Sequence, residues 1–88
     1  MKAIRVFYEG NVQGVGFRWT VKSLACGFDV AGTVKNLPDN RVELVVQGDE
    51  ARDFLEAIRT SHLAGHIENE RILEIPRLSG LRGLTIIP

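Results

Sequence analysis

Apolar and polar residues alternate from the start of the chain. In AIRVFYE, residues 3–9, Ile4, Val6 and Tyr8 fall on one face and Arg5, Phe7 and Glu9 on the other, a period of two in β-branched and aromatic side chains that predicts a strand. GNVQGVG, residues 10–16, carries three glycines. Each glycine costs about 0.5 to 1 kcal/mol in a helix or strand interior, so this is a loop with unusual backbone needs. Helix formers return from Phe17 or Arg18 to about Ala25, with Val21, Leu24 and Ala25 three and four apart and Gly27 as a stop. Residues 28–35 (FDVAGTVK) and 41–47 (RVELVVQ) alternate again around the turn-rich NLPDN, which predicts two antiparallel strands joined by a hairpin. Gly48 and Asp49 stop the second, Asp49 is a candidate helix cap, and Phe54, Leu55 and Ile58 mark a helix reaching to about residue 62. Residues 68–75 and 84–87 are two further extended segments, separated by Pro76, Gly80 and Gly83, with the second showing the plainer strand pattern. The order βαββαβ predicts an α+β fold in two layers, an antiparallel sheet of four or five strands with both helices on one face.

Composition narrows the function. The 88 residues form one domain's worth of chain, without linker or internal repeat, so residues 1–88 are read as a single domain. Apolar residues at 44% and charged residues at 25% fit a folded globular chain. Eleven Lys plus Arg balance eleven Asp plus Glu, leaving no broad field for nucleic acid or an anionic membrane, so any bound anion must be gripped locally. The apolar runs fall far short of the roughly 20 residues of a membrane helix, and the N-terminus lacks a secretory pattern, so a cytoplasmic protein is expected. The single cysteine, Cys26, has no internal partner and reads as a small buried apolar side chain. His62 and His66 are four apart, but Gly65 lies between them and no further ligand completes a metal set.

The chemistry concentrates at strand, glycine loop, then Phe17 and Arg18 opening a helix. Glycines let successive backbone N–H groups converge, and a helix N-terminus adds orphan donors and about half a positive charge. Arg18 is electrostatically misplaced at that end unless an anion is bound, and its guanidinium can clamp one phosphate with two parallel hydrogen bonds. The Walker pattern fails, because no Gly-Lys-Ser/Thr triplet occurs, and GxGxxG fails, because Trp19 stands at the third glycine. On spacing alone, a plain glycine-rich turn with a solvated Arg18 stands level with an anion site. Asn36, at a strand end, reads as a turn former. Its amide also offers both a donor and an acceptor, which could orient a water molecule.

GNVQGVGFR at residues 10–18 and GTVKN at 32–36, followed by LPDNRVELVVQG, closely resemble the two signature segments of the acylphosphatases, and in length and element order the resemblance spans essentially the whole chain. It implies a ferredoxin-like α/β sandwich and hydrolysis of the carboxyl-phosphate bond of small acyl phosphates by direct attack of water, in a monomer without metal or organic cofactor. Carried over by position, it implies catalytic roles for Arg18 and Asn36 and phosphate binding by the Arg18 guanidinium and by the loop amides of Gln13, Gly14, Val15, Gly16, Phe17 and Arg18. Neither segment holds a Cys or His to serve as a phosphorylated nucleophile, so the chemistry would rest on positioning and charge stabilisation. Phe17, Trp19 and Phe28 read as packing residues rather than substrate contacts.

Three departures from the family pattern carry expectations of their own. Asn40 replaces a usual glycine and should tolerate left-handed backbone. Thr33 replaces a usual aromatic and is expected to remove packing near the site. Residues 66–88 match only in apolar pattern, with PRLSGLRG an unusual connection.

Two rivals come from other classes. The same element order serves RNA-recognition domains, but RVELVVQG lacks their exposed sheet aromatics and the charge is balanced, so no nucleic-acid partner is expected. The other is a catalytically weak or silent acylphosphatase-like domain binding a phosphate compound such as carbamoyl phosphate, which normally belongs to a much longer chain.

Overall fold

The computed structural model describes residues 2–88. Its elements run β1 (Ala3–Gly10), α1 (Phe17–Ala25), β2 (Ala31–Asn36), β3 (Val42–Gln47), α2 (Ala51–Arg59), a 3₁₀ turn (His62–His66), β4 (Ile67–Ile75) and β5 (Leu84–Ile87). The strands form one sheet in the order β4, β1, β3, β2, β5. Pairing sets Ile4 opposite Val46, Val6 opposite Leu44 and Tyr8 opposite Val42. It also sets Val34 opposite Leu44 and Asn36 opposite Val42. Because side chains alternate across a sheet, these residues share one face.

The helices cover that face. Phe17, Val21 and Ala25, four apart, are the buried stripe of α1, and Ala51, Phe54, Leu55 and Ile58 are that of α2. They join Val6, Tyr8, Val34, Leu44 and Val46 in one continuous core. Phe54 is fully buried, which contributes roughly 1.5 to 3 kcal/mol of hydrophobic stabilisation. The opposite face carries charge: Glu43 pairs with Arg5 at 3.5 Å and with Lys35 at 3.6 Å, and the Arg41 guanidinium lies 4.5 Å from the centre of the Phe7 ring.

The sheet is ferredoxin-like and five-stranded, but mixed. β5 runs parallel to β2, whereas the other three pairings are antiparallel, so the expectation of a wholly antiparallel sheet is corrected at this edge. The reason is the path of the chain. β4 and β3 end, and β2 begins, at the same end of the sheet; residues 76–83 cross from one edge to the other at that end, and β5 must then run back in the direction of β2. The crossing is held by the buried Gln47 side chain, whose Nε2 donates to the Leu78 carbonyl at 2.8 Å and whose Oε1 accepts from the Leu78 N–H at 2.9 Å.

Other boundaries also moved. β2 starts at Ala31 rather than Phe28, because residues 28–30 are folded into turns by bonds from Phe28 N–H to the Ala25 carbonyl and from Val30 N–H to the Phe28 carbonyl, while the Phe28 ring packs 5.8 Å from that of Phe54. Asp49 is not the cap of α2; Glu50 holds that place, with its Oε1 accepting from Asp29 N–H at 2.8 Å. Cys26 is exposed rather than buried, since it falls just beyond the stripe that ends at Ala25. Thr33 pairs with Val45 and Thr85 on the face opposite Val34 and Asn36, so it removes no packing from the helix-covered side. Asn40 does adopt the left-handed backbone, with φ of 73°.

Candidate active site

The end of the sheet opposite the crossing gathers the end of β1, the start of α1, and the ends of β2 and β5. The chain leaves β1 through residues 11–16, anchored by Val12, which is fully buried, and by Val15, which packs on the core. Gly14 and Gly16 have φ of 79° and 76°, the left-handed region that costs other residues about 1 to 2 kcal/mol. A Cβ at either would meet nothing within 4 Å, so backbone conformation rather than crowding demands glycine, and the space beside the loop stays open. Gly16 is the cap residue of α1, and Thr20 N–H donates to its carbonyl at 2.9 Å. The N–H groups of the first turn ahead of Thr20 therefore have no partner within the helix.

Phe17 fixes the direction of the helix. Its ring is buried 5.1 Å from that of Tyr8, tilted by 55°, which sets the first turn of α1 over the end of β1. Arg18 follows, half-buried, with Nη1 donating to the Ile87 carbonyl at 3.3 Å. The first turn holds no acidic residue, so the positive helix end and the guanidinium act together without internal neutralisation.

Asn36 closes β2 on the same face. Its Oδ1 is buried and has no hydrogen-bond partner, an acceptor whose burial costs free energy until a donor arrives. Arg18, Asn36, Gly14 and Gly16 line one cleft of about 180 Å³, with Val12, Phe17, Ile86 and Trp19 forming its apolar side. That is room for a small phosphorylated group with water beside it. The arrangement suits an anion: unpaired amides, a guanidinium and no carboxylate in the lining.

Of the residues expected here, Arg18, Asn36, Gly14, Gly16 and Phe17 converge. The Val15 side chain packs on the core and the Gln13 side chain reaches the hairpin, donating through Nε2 to the carbonyls of Leu37 and Arg41, each at 2.9 Å, so what these two residues can offer an anion is their backbone N–H. Trp19 is corrected from a packing residue to a rim residue, 68% exposed. A signal for this was available, because position 19 lies off the stripe defined by Phe17, Val21 and Ala25. Ile86 and the Ile87 carbonyl carried no local signal, since only the pairing of β5 with β2 brings them here.

Beneath the cleft, the Tyr8 hydroxyl faces Glu70 across the β1–β4 pairing. Burial first, and then the negative charge of Glu70, push its pKa well above the usual value of 10.0. Glu70 itself is tied at 2.8 Å to Arg59, whose guanidinium is held further toward its charged form by that bond and by Glu56.

Comparison with known proteins shows the family. Residues 4–84 match the family model described as Acylphosphatase. The chain is 37% identical over 90 residues to an acylphosphatase of Lactobacillus johnsonii, covering 99% of each chain. It is 41% identical over 80 residues to one of Bacillus velezensis, covering 89% of each. The crystal structure of acylphosphatase from Bacillus subtilis superposes with a TM-score of 0.88 at 33% identity, covering 100% of both chains. The chain belongs to the acylphosphatase family.

Proposed function

We propose that the cleft is the catalytic site of this hydrolase, with the phosphoryl group of a small acyl phosphate gripped by Arg18 and by loop amides around Gly14, Gly16 and Phe17, while Asn36 aims the attacking water. The observation that carries this reading is the unpartnered, buried Oδ1 of Asn36 in the same cleft as Arg18: a bound water donating to that oxygen would be oriented beside the anion. Water attacks phosphorus opposite the acyl oxygen. The bond from phosphorus to that oxygen breaks, its electron pair leaves with the carboxylate, and a phosphate oxygen of the substrate takes the water's proton. One carboxylate and one inorganic phosphate result, without a covalent enzyme intermediate. Charge spread over the equatorial oxygens is stabilised by the guanidinium and by the positive helix end, and the carboxylate is already a good leaving group.

The reading needs no metal, because the chain's own donors supply the positive charge. The core shared by both helices and the sheet supports treating residues 1–88 as one catalytic domain, and we read it as a monomer. The exposed free thiol of Cys26 suits a reducing, cytoplasmic setting. No helix among the described residues is long and apolar enough to cross a membrane.

Hydrolysis of acetyl phosphate in ¹⁸O-water tests the direction of attack. The label should enter inorganic phosphate, and rapid-quench kinetics should show no burst of carboxylate. Label in the acetate, or a burst equal to the enzyme concentration, would overturn this mechanism.

A further inference from the structure

Gln13 sits in the loop before α1, yet its side chain serves the hairpin between β2 and β3. One carboxamide nitrogen donates to two backbone carbonyls, those of Leu37 and Arg41, at 2.9 Å each. These carbonyls already close the turn by themselves: Leu37 N–H donates to the Arg41 carbonyl at 2.8 Å and Asn40 N–H to the Leu37 carbonyl at 3.2 Å. Asp39 adds a further brace by accepting from Arg41 N–H at 3.2 Å and from Arg41 Nε at 2.8 Å. The turn therefore has its own hydrogen bonds, and what Gln13 adds is a link between two segments 24 and 28 residues apart. Asn36 is the residue immediately before that turn. Across the cleft, Gly14, Gly16 and Arg18 follow Gln13 along the same segment.

We propose that Gln13 is a positioning residue for hydrolysis: its amide staples the anion loop to the β2–β3 hairpin and so fixes the Asn36 carboxamide relative to the phosphorus held by Arg18. The inference rests on the reading of Arg18 and Asn36 given above. Reaction geometry is sensitive on this scale, with a displacement of about 1 Å costing up to roughly 100-fold in rate. The two halves of the site come from separate segments, so their spacing requires a supporting contact of this kind.

A double-mutant cycle on the full chain tests it, using Gln13→Met, which keeps length and removes the donors, alone and with Asn36→Ala. Acetyl phosphate turnover is measured together with inhibition by inorganic phosphate. Gln13→Met should lower kcat about tenfold while changing the phosphate inhibition constant less than threefold. In the Asn36→Ala background the same substitution should cost less than twofold, because there is no longer a carboxamide to misplace. A purely structural role would lower kcat by the same factor in both backgrounds, and that result, an unchanged kcat, or a parallel loss of phosphate binding would overturn the proposal. If Gln13→Met does not fold, Gln13→Asn, whose amide stops one methylene short, takes its place with the same criteria. Wild-type turnover in Asn36→Ala alone would instead sink the assignment of Asn36, leaving the two failures distinguishable.

Discussion

Each end of the sheet carries a glutamine bonded to the backbone of a distant segment, and the two ends differ in what surrounds that bond. At the crossing end, Gln47 is 5% exposed and uses both its donor and its acceptor on Leu78, so a buried amide stands in for a strand neighbour and its bonds close within the protein. At the cleft end, Gln13 ties the loop to the hairpin, but next to it Asn36 Oδ1 has no partner and two glycines hold left-handed backbone. Positive-φ glycines occur at both ends, with Gly48, Gly80 and Gly83 at the crossing and Gly14 and Gly16 at the cleft, so what sets the cleft end apart is a buried acceptor left without a partner in the same cleft as a guanidinium, an arrangement that has an energetic cost. The crossing end closes its amide bonds within the protein, and the cleft end leaves one buried acceptor open.

Substitutions can break that contrast. Arg18→Ala should remove the main cation of the cleft and lower turnover of acetyl phosphate about 100 to 1,000-fold, with the thermal midpoint little changed. Gln47→Met should do the reverse: it removes two part-buried hydrogen bonds to Leu78, each worth about 0.5 to 1.5 kcal/mol in denaturant unfolding, while turnover per folded molecule stays at the wild-type level. Gly16→Ala should cost about 1 to 2 kcal/mol, because alanine must enter left-handed backbone. A relaxed loop would also raise the inhibition constant for inorganic phosphate, so this variant moves both readouts.

A fourth effect concerns pH. Burial and the charge of Glu70 raise the Tyr8 pKa in the folded protein above its ordinary value of 10.0. The stabilisation from keeping the hydroxyl neutral is thus complete below about pH 10, where neither state ionises. Above that, the unfolded state loses its proton first, and stability should fall by about 1.4 kcal/mol per pH unit from this group. Denaturant titrations from pH 8 to 11 should show that part of the slope disappear in Tyr8→Phe. An identical slope in both proteins would contradict the placement of the hydroxyl.

Much of the fold was legible because its determinants are local. Period-two alternation marked β1 and β3, the stripe of Phe17, Val21 and Ala25 marked α1, and GNVQGVG marked the loop. Some errors lie where distant segments decide, and others where the local alternation or helical stripe already gave the answer. The direction of β5 depends on which end of the sheet the 76–83 connection crosses, and no feature of LTII encodes that. Thr33 looked close to the site from its position in GTVKN, yet strand alternation turns it to the other face from Asn36, a step the sequence already permitted. Arg18 and Asn36 were identifiable from family-like segments, but their convergence follows from Phe17 seating α1 against Tyr8. The reach of Gln13 to the hairpin had no sequence signal, because a glutamine following three loop residues reads the same whether its side chain faces solvent or another strand's turn.

The most direct test of the central claim compares kcat with the inorganic phosphate inhibition constant in wild type and Asn36→Ala. The account predicts turnover reduced by about 100-fold or more with phosphate inhibition within threefold of wild type, since Arg18 and the loop amides still bind the anion. Equal losses in both, or turnover that stays at the wild-type level, would contradict a site in which one segment grips phosphate and another directs the water.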